Sequence, residues 1–355
     1  MKHRHFPRNF RPFPLRHTLL LAAVVTLVSC EKLLTAPDAD STPTSTFEYL
    51  WQKVDQQYAF FDVKEVDWQQ VHDLYAPMVG DGMGSDSLFN VLASMLNHLD
   101  DGHVNLVAPY DVSRSEEVYT RMYERRQIDS RIVALHYLGP RYHSTGGFQH
   151  QAIADGRVVY VRYSSFSNSA STSQLDHIVR QYPEAEGLIL DMRQNGGGSI
   201  NNIWKILSLF DPQGESRPLL YRTQIKSGPG HGDFTPLEEV YAPELDSRYT
   251  PYHKPVVVLT DRGSYSATSF FALCCRAYPN IVTMGDTTGG GLGLPNGGQL
   301  PNGWYYRFSV TRTLAPDGRN FENGVPPDRL VLLDTALTTR DNIIDSAAQM
   351  IIDNR

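Results

Sequence analysis

The chain is short of several things, and each shortage excludes something. Three cysteines in 355 residues, two of them the adjacent Cys274 and Cys275, cannot staple a domain, because neighbouring residues seldom meet disulfide geometry. That pair sits in an apolar run and reads as two buried thiols on a helix. No apolar run reaches the ~20 residues that a bilayer-spanning helix needs. H-E-x-x-H and paired-cysteine spacings are missing, and His98 and His103 are out of i, i+4 register. No metal site and no cofactor are therefore expected. Neither G-x-G-x-x-G nor a P-loop ending in G-K-[ST] occurs. Basic charge is scarce too. Lys and Arg total 32 against 39 Asp and Glu, and five of the basic residues lie in the first 29 positions, which hold no acid. The remainder carries 27 against 39, a net of −12, the opposite of the basic stripe that a nucleic-acid groove requires. Nucleic acid is not expected as a partner. Finally, no lysine follows Lys254.

What is present begins with ample core material: 41% hydrophobic residues over a length that suits one large domain or two smaller ones. Residues 2–17 form a positive segment, and an apolar stretch follows from Thr18 to Val28. About half a membrane span long, it reads as the core of a signal peptide. It ends in Leu27-Val28-Ser29-Cys30, which resembles a bacterial lipobox. The resemblance implies cleavage before Cys30, acylation of its thiol and a lipid anchor in the membrane; an ordinary signal peptide with an incidental cysteine is the alternative. Residue 31 is Glu rather than the Asp associated with inner-membrane retention. By resemblance this favours the outer membrane, facing periplasm or exterior. The expected organisation is a signal peptide at 1–29, a Ser/Thr/Pro/Asp-rich tether at 30–43, helices at 44–103 and an α/β domain at 104–355.

Within 46–102, Phe47, Leu50, Trp51 and Val54 keep a helical period, as do Leu88, Leu92, Met95, Leu96 and Leu99. The second helix should start near Ser85-Asp86 and stop at Gly102, leaving His103 on a turn. By itself His103 reads as readily as a surface or core residue. From residue 156 the pattern changes. Arg157–Tyr163, Gly187–Asp191, Val256–Thr260 and Ile281–Met284 read as β-strands, with helices at Ile200–Phe210 and Ser266–Ala277. Such alternation predicts a layered α/β domain with a largely parallel sheet. Trp304–Val310 suits an added antiparallel strand, and 226–250 reads as a loop beside a site.

Three segments carry chemistry. In Asp191-Met192-Arg193-Gln194-Asn195-Gly196-Gly197-Gly198, glycines between a strand and a helix let backbone N–H groups approach an anion; a tight turn without a ligand fits equally. In Gly263-Ser264-Tyr265-Ser266-Ala267-Thr268-Ser269, a serine at a strand-to-helix turn can serve as nucleophile or as a simple N-cap. In Glu322-Asn323-Gly324-Val325-Pro326-Pro327-Asp328, a carboxylate in a rigid turn could orient an imidazole or merely be solvated.

Together with Asp101-Gly102-His103, these segments and Gly285-Asp286-Thr287-Thr288-Gly289-Gly290 resemble, in order, the motifs of the C-terminal-processing (tail-specific) serine peptidases and their tricorn-like branch. The resemblance spans about residues 90–335 and implies a crotonase/ClpP-like α/β catalytic domain with a small N-terminal helical domain. There are departures. Gly291 stands where members with a Ser–Lys dyad place the lysine, Ser269 stands where the family has Glu, and the interval between His103 and the strand at 157 is too short for the usual PDZ module. What remains implies the tricorn-like arrangement. Ser266 would be the nucleophile, with Ser264 as the alternative, His103 the base and Glu322 the acid that fixes its tautomer. Ala267 and the Gly196, Gly197, Gly198 turn would donate to the oxyanion. Substrates would be polypeptides in the cell envelope. The competing reading is a non-catalytic peptide- or ligand-binding lipoprotein that keeps the fold.

Overall fold

The computed structural model describes residues 40–124, 127–212 and 217–353. Cys30, the signal stretch and most of the tether lie outside the described residues. The first helices are α1 (Pro43–Gln57), α2 (Phe61–Lys64), α3 (Trp68–Tyr75) and α4 (Ser85–Asn97). Thr42 caps α1 by accepting the Ser45 N–H, with Pro43 at the first position. The apolar positions expected on one face of α1 and α4 do face one core: Phe47, Leu50, Val54, Leu88, Leu92, Met95 and Leu96 are buried together. Two details differ from expectation. Gly84, not Ser85 or Asp86, occupies the cap of α4, and the helix stops at Asn97. Asp100 adopts φ 43, a left-handed conformation that Asp tolerates and a helix does not, so 98–102 become turns and His103 arrives on the last of them.

The helical region shares its core with distant chain. Leu106, Ala108, Leu300, Trp304, Tyr306 and Phe308 complete it, so a boundary at 103/104 does not separate two cores. The contribution comes through a three-stranded antiparallel sheet of β1 (Asn105–Val107), and of β10 (Pro295–Gln299) and β11 (Tyr305–Ser309) from much later in the chain, in the order β1-β11-β10. The expected added strand at 304–310 is thus β11.

Between β1 and the main sheet lie α5 (Glu116–Glu124) and α6 (Ser130–Ile132), the latter running into π-helical turns at Val133–Leu138. The main sheet has seven strands, and its sequence order is β2 (His143–Thr145), β3 (Phe148–Ile153), β4 (Val158–Tyr163), β5 (Gly187–Asp191), β8 (Val256–Thr260), β9 (Ile281–Gly285) and β13 (Arg329–Leu330). Spatially it runs β13-β9-β8-β5-β4-β3-β2, parallel from β13 to β4 and antiparallel beyond. β5 and β8 are buried along their whole length, which is why they read as unbroken apolar runs. Alternation still assigns their faces. Leu188, Leu190, Val256 and Val258 join the core beneath α7 (Thr172–Gln181), α8 (Asn201–Leu207) and α9 (Ala267–Cys275), where Cys274 and Cys275 are buried as free thiols. Ile189, Val257 and Leu259 pack on the other face against Ile343, Ile344, Ala347 and Ile351 of α10 (Asn342–Asp353). Each buried Val, Leu or Ile side chain among these contributes about 1.5–3 kcal/mol. The segment 226–250, expected as a loop, holds β7 (Glu238–Tyr241), paired antiparallel with β6 (Leu219–Ile225), which also pairs with β12 (Thr311–Leu314). No helix among the described residues is long and apolar enough to cross a membrane.

Candidate active site

β5 and β8 are neighbouring parallel strands, so the turns at their carboxyl ends lie side by side, where open α/β sheets hold their ligands. Two buried residues bolt these turns together. Asp261 Oδ1 accepts the Gln194 N–H at 2.8 Å and the Gly263 N–H at 3.0 Å. Asn195 accepts the Gly197 N–H on Oδ1 at 3.0 Å and donates from Nδ2 to the Tyr163 carbonyl at 2.9 Å. Its own carbonyl accepts the Tyr265 N–H at 3.0 Å and the Thr268 hydroxyl at 2.8 Å. Beneath them, the buried Arg193 guanidinium spans Asp191 (2.6 Å) and Asp341 (2.9 Å). Burial pushes the Asp191 carboxyl up, but Arg193 and Arg162 outweigh it and bring it down to about 2.

Held by this frame, Ser266 sits at the first turn of α9 with φ 55 and ψ −119. A non-glycine residue in that region stores about 1–3 kcal/mol of strain, which functional sites commonly retain. Its N–H donates to the Gly290 carbonyl at 2.9 Å. Ser264 is placed differently. It is fully buried, its hydroxyl donates to the Met192 carbonyl at 2.9 Å, and it accepts the Asp261 N–H, so it braces the turn. Ser269 bonds the Ser264 carbonyl and Thr288, wiring the 285–290 loop to the same helix.

His103 approaches from the helical region. Its Nε2 lies 3.0 Å from Ser266 Oγ, within reach for proton transfer. Its ring packs on Tyr265 at 5.1 Å between centroids, and the close fit explains Gly102, where a Cβ would come within 2.8 Å of the tyrosine oxygen. Asp101 Oδ1 accepts the His103 N–H at 2.7 Å, while Oδ2 accepts from Ser309 at 2.8 Å. Burial lowers the His103 pKa; Asp101 and the Gly293 backbone oppose that shift and Arg307 reinforces it. The imidazole is accordingly held neutral.

Glu322 is buried in the same cluster, but it does not meet the imidazole as expected. Its Oε2 accepts the Leu292 and Gly293 N–H groups at 2.7 and 3.0 Å, and His103 Nδ1 is buried without a well-formed hydrogen bond. The backbone after Gly291 turns two N–H groups onto the carboxylate and thereby interposes the Leu292–Gly293 segment. Burial raises the Glu322 pKa well above its usual range; Asp101 adds to this, while Lys64 and the two N–H groups oppose it.

The anticipated oxyanion donors flank Ser266. A Cβ on Gly197 would meet Ser266 Cβ at 2.8 Å and the Ala267 nitrogen at 2.9 Å, so only glycine permits this approach. The Gly197 N–H is engaged by Asn195, whereas Gly196 and Gly198 are exposed. Among the described residues, no group of three or more His, Cys, Asp or Glu is placed to hold a metal ion. Sequence reasoning missed Asp261, Asn195 and Tyr265 as organisers. Their only local signals are Asp and Asn two residues before glycine, a spacing common to ordinary turns.

Peptidase family S41 matches residues 157–331, and the Tricorn protease C1 domain matches residues 41–97. A solved structure of a candidate peptidase from Parabacteroides merdae is 39% identical, covers 88% of this chain and 97% of its own, and superposes with a TM-score of 0.81. The chain belongs to peptidase family S41. As an S41 member it is also similar to the carboxy-terminal processing protease CtpA of Bacillus subtilis, with 26% identity over 167 residues. That match covers 46% of this chain and 32% of CtpA; the chain spans about a third of the length of the curated relatives it matches. Mature CPAF, solved with lactacystin, shares the fold at 13% identity with a TM-score of 0.62, covering 88% of this chain and 97% of its own.

Proposed function

We propose that this S41 family member hydrolyses peptide bonds of polypeptide substrates, with Ser266 as nucleophile and His103 as its base. The observation that carries the reading is the 3.0 Å approach of a neutral, buried His103 Nε2 to a strained Ser266 Oγ. As Oγ attacks the scissile carbonyl, Nε2 takes its proton and returns it to the leaving amine. Water then releases the acyl group with the same base. Negative charge on the former carbonyl oxygen would meet the Ala267 N–H at the start of α9 and an N–H of the Gly196–Gly198 turn. Each such donor typically gives about 10²–10³ in rate. Glu322 completes the proposed triad through the backbone in this conformation: it holds the Gly293 N–H, and the Gly293 backbone favours protonation of the imidazole.

An active-site serine probe tests the assignment. It should label the wild-type protein and not Ser266→Ala. Absence of labelling in the wild type would favour the non-catalytic binding protein, and labelling that survives in the variant would move the nucleophile elsewhere. We also propose that the protein is lipid-anchored at Cys30 and that its substrates lie in the cell envelope; this rests on the sequence Leu27-Val28-Ser29-Cys30. Incorporation of labelled fatty acid that is lost in Cys30→Ala tests the anchor.

A further inference from the structure

Lys64 ends α2, a short helix whose Phe61 is buried against Tyr58 at 5.1 Å and Trp68 at 5.9 Å between ring centroids. The core of the helical region therefore fixes where the lysine side chain starts. Its Nζ donates to the Asp100 carbonyl at 2.7 Å and to Asn323 Oδ1 at 2.7 Å. Asp100 lies in the turn that delivers His103, and Asn323 follows Glu322 directly. One ammonium thus bridges the turn of the base and the turn of the acid.

Both ends of this bridge are anchored in turn. Asp100 holds its left-handed φ of 43, a conformation that persists in a non-glycine residue only where its surroundings enforce it. Arg121 of α5 grips its carboxylate with two bonds of 2.9 Å and also bonds Glu117 at 2.9 Å. On the other side, the Asn323 carbonyl accepts Arg262 Nη1 at 3.1 Å, and the same nitrogen donates to the Thr288 carbonyl at 3.2 Å. Arg262 belongs to the turn that carries Ser266. Lys64 and Arg262 therefore meet at Asn323 and join, through it, the segments of His103, Glu322 and Ser266. Neither cation takes part in the proposed proton transfers.

We infer that Lys64 is a positioning residue: it latches the His103 turn to the Glu322 turn and so sets the separation at which His103 Nε2 meets Ser266 Oγ. The chemical consequence rests on the proposed function; the latch itself rests on the two hydrogen bonds. Replacing the ammonium by the methyl end of methionine keeps the apolar stem and removes both donations, which frees the two turns from one another. His103 then spends less time within reach of Ser266 Oγ, and small displacements of reacting groups are costly. The latch acts on the reacting groups, so the loss belongs in kcat.

The test compares the wild type with Lys64→Met and Lys64→Arg on one quenched fluorescent peptide that the wild type cleaves. Rates are referred to sites titrated with the serine probe, so misfolded protein does not count. Lys64→Met should lower kcat by about 10- to 10²-fold and leave KM within about twofold. Lys64→Arg keeps the charge and can donate to both acceptors, so it should recover part of the loss. An unchanged kcat in Lys64→Met, a loss carried by KM, or equal impairment in both variants would overturn the inference while leaving Ser266 chemistry standing. Amide hydrogen exchange reads the latch without turnover. Lys64→Met should speed exchange in 99–104 and 320–325 together, while 88–96 keeps its wild-type protection. Faster exchange in only one of those turns, in neither, or throughout the helical region rejects the latch. A wild type that neither cleaves peptides nor takes the probe would sink the peptidase reading, and exchange alone would then decide whether Lys64 couples the two turns.

Discussion

The two halves of the proposed active site, the turns around Ser266 and the cluster around His103, are built differently. The nucleophile half, residues 191–198 and 261–269, is contributed by neighbouring parallel strands and closed by buried hydrogen bonds from Asp261 and Asn195. The base half gathers His103, Asp101 and Glu322 from segments some two hundred residues apart in sequence, and leaves His103 Nδ1 buried without a well-formed partner. One half is closed by direct side-chain hydrogen bonds, and in the other the Leu292–Gly293 backbone takes the Glu322 carboxylate. Preorganisation is thus concentrated beside Ser266, where the proposed reaction develops negative charge and where it contributes most.

Four substitutions or conditions would break or sharpen this contrast. His103→Ala should lower kcat/KM by about 10⁴ or more, as loss of a triad base does; a loss under tenfold on cleavable peptides would remove His103 from the mechanism. Asn195→Ala strands the Gly197 N–H and the Tyr163 carbonyl in the interior. We expect about 2–5 kcal/mol of destabilisation in denaturant melts, together with a fall in kcat of about 10². If unfolding is unaffected, the nucleophile half is less rigidly braced than its hydrogen bonds imply. Glu322→Gln should reduce kcat by only about tenfold, because its carboxylate acts through the Leu292 and Gly293 N–H groups. A loss near the 10⁴ seen when a triad acid is neutralised would show that Glu322 contacts the imidazole during turnover. The smallest effect concerns pH. Burial lowers the His103 pKa from its ordinary 6.5, and the base works only when neutral. Activity should therefore persist as pH falls to 6.5 and be lost below it, so an acid limb of kcat/KM at or above 6.5 would contradict a desolvated base.

Much of the fold was legible because its signals are local. β5 and β8 are continuous apolar runs, and the strand–helix alternation that follows residue 156 predicts their parallel pairing. The segment 226–250 was misread because β7 is a short edge strand with largely exposed side chains, Glu238 to Tyr241, so burial leaves little pattern in it. The early end of α4 was missed because the stop is Asp100 in a left-handed conformation, and nothing in Asp itself requires it.

The site divides in the same way. Sequence alone determined which residue types are available: a serine entering a helix, a glycine turn after a buried strand, a histidine past a helical region, and no lysine to replace it after Lys254. Those follow from chain order and composition. Only the tertiary structure shows how Ser264 and Ser266, which share one turn, differ: the first spends its hydroxyl on the Met192 carbonyl, and the second lies 3.0 Å from His103 Nε2. It also decided that His103 reaches Ser266 while Glu322 is turned to the backbone. These are contacts across long sequence separations, fixed by strand register and core packing, and no local propensity encodes them.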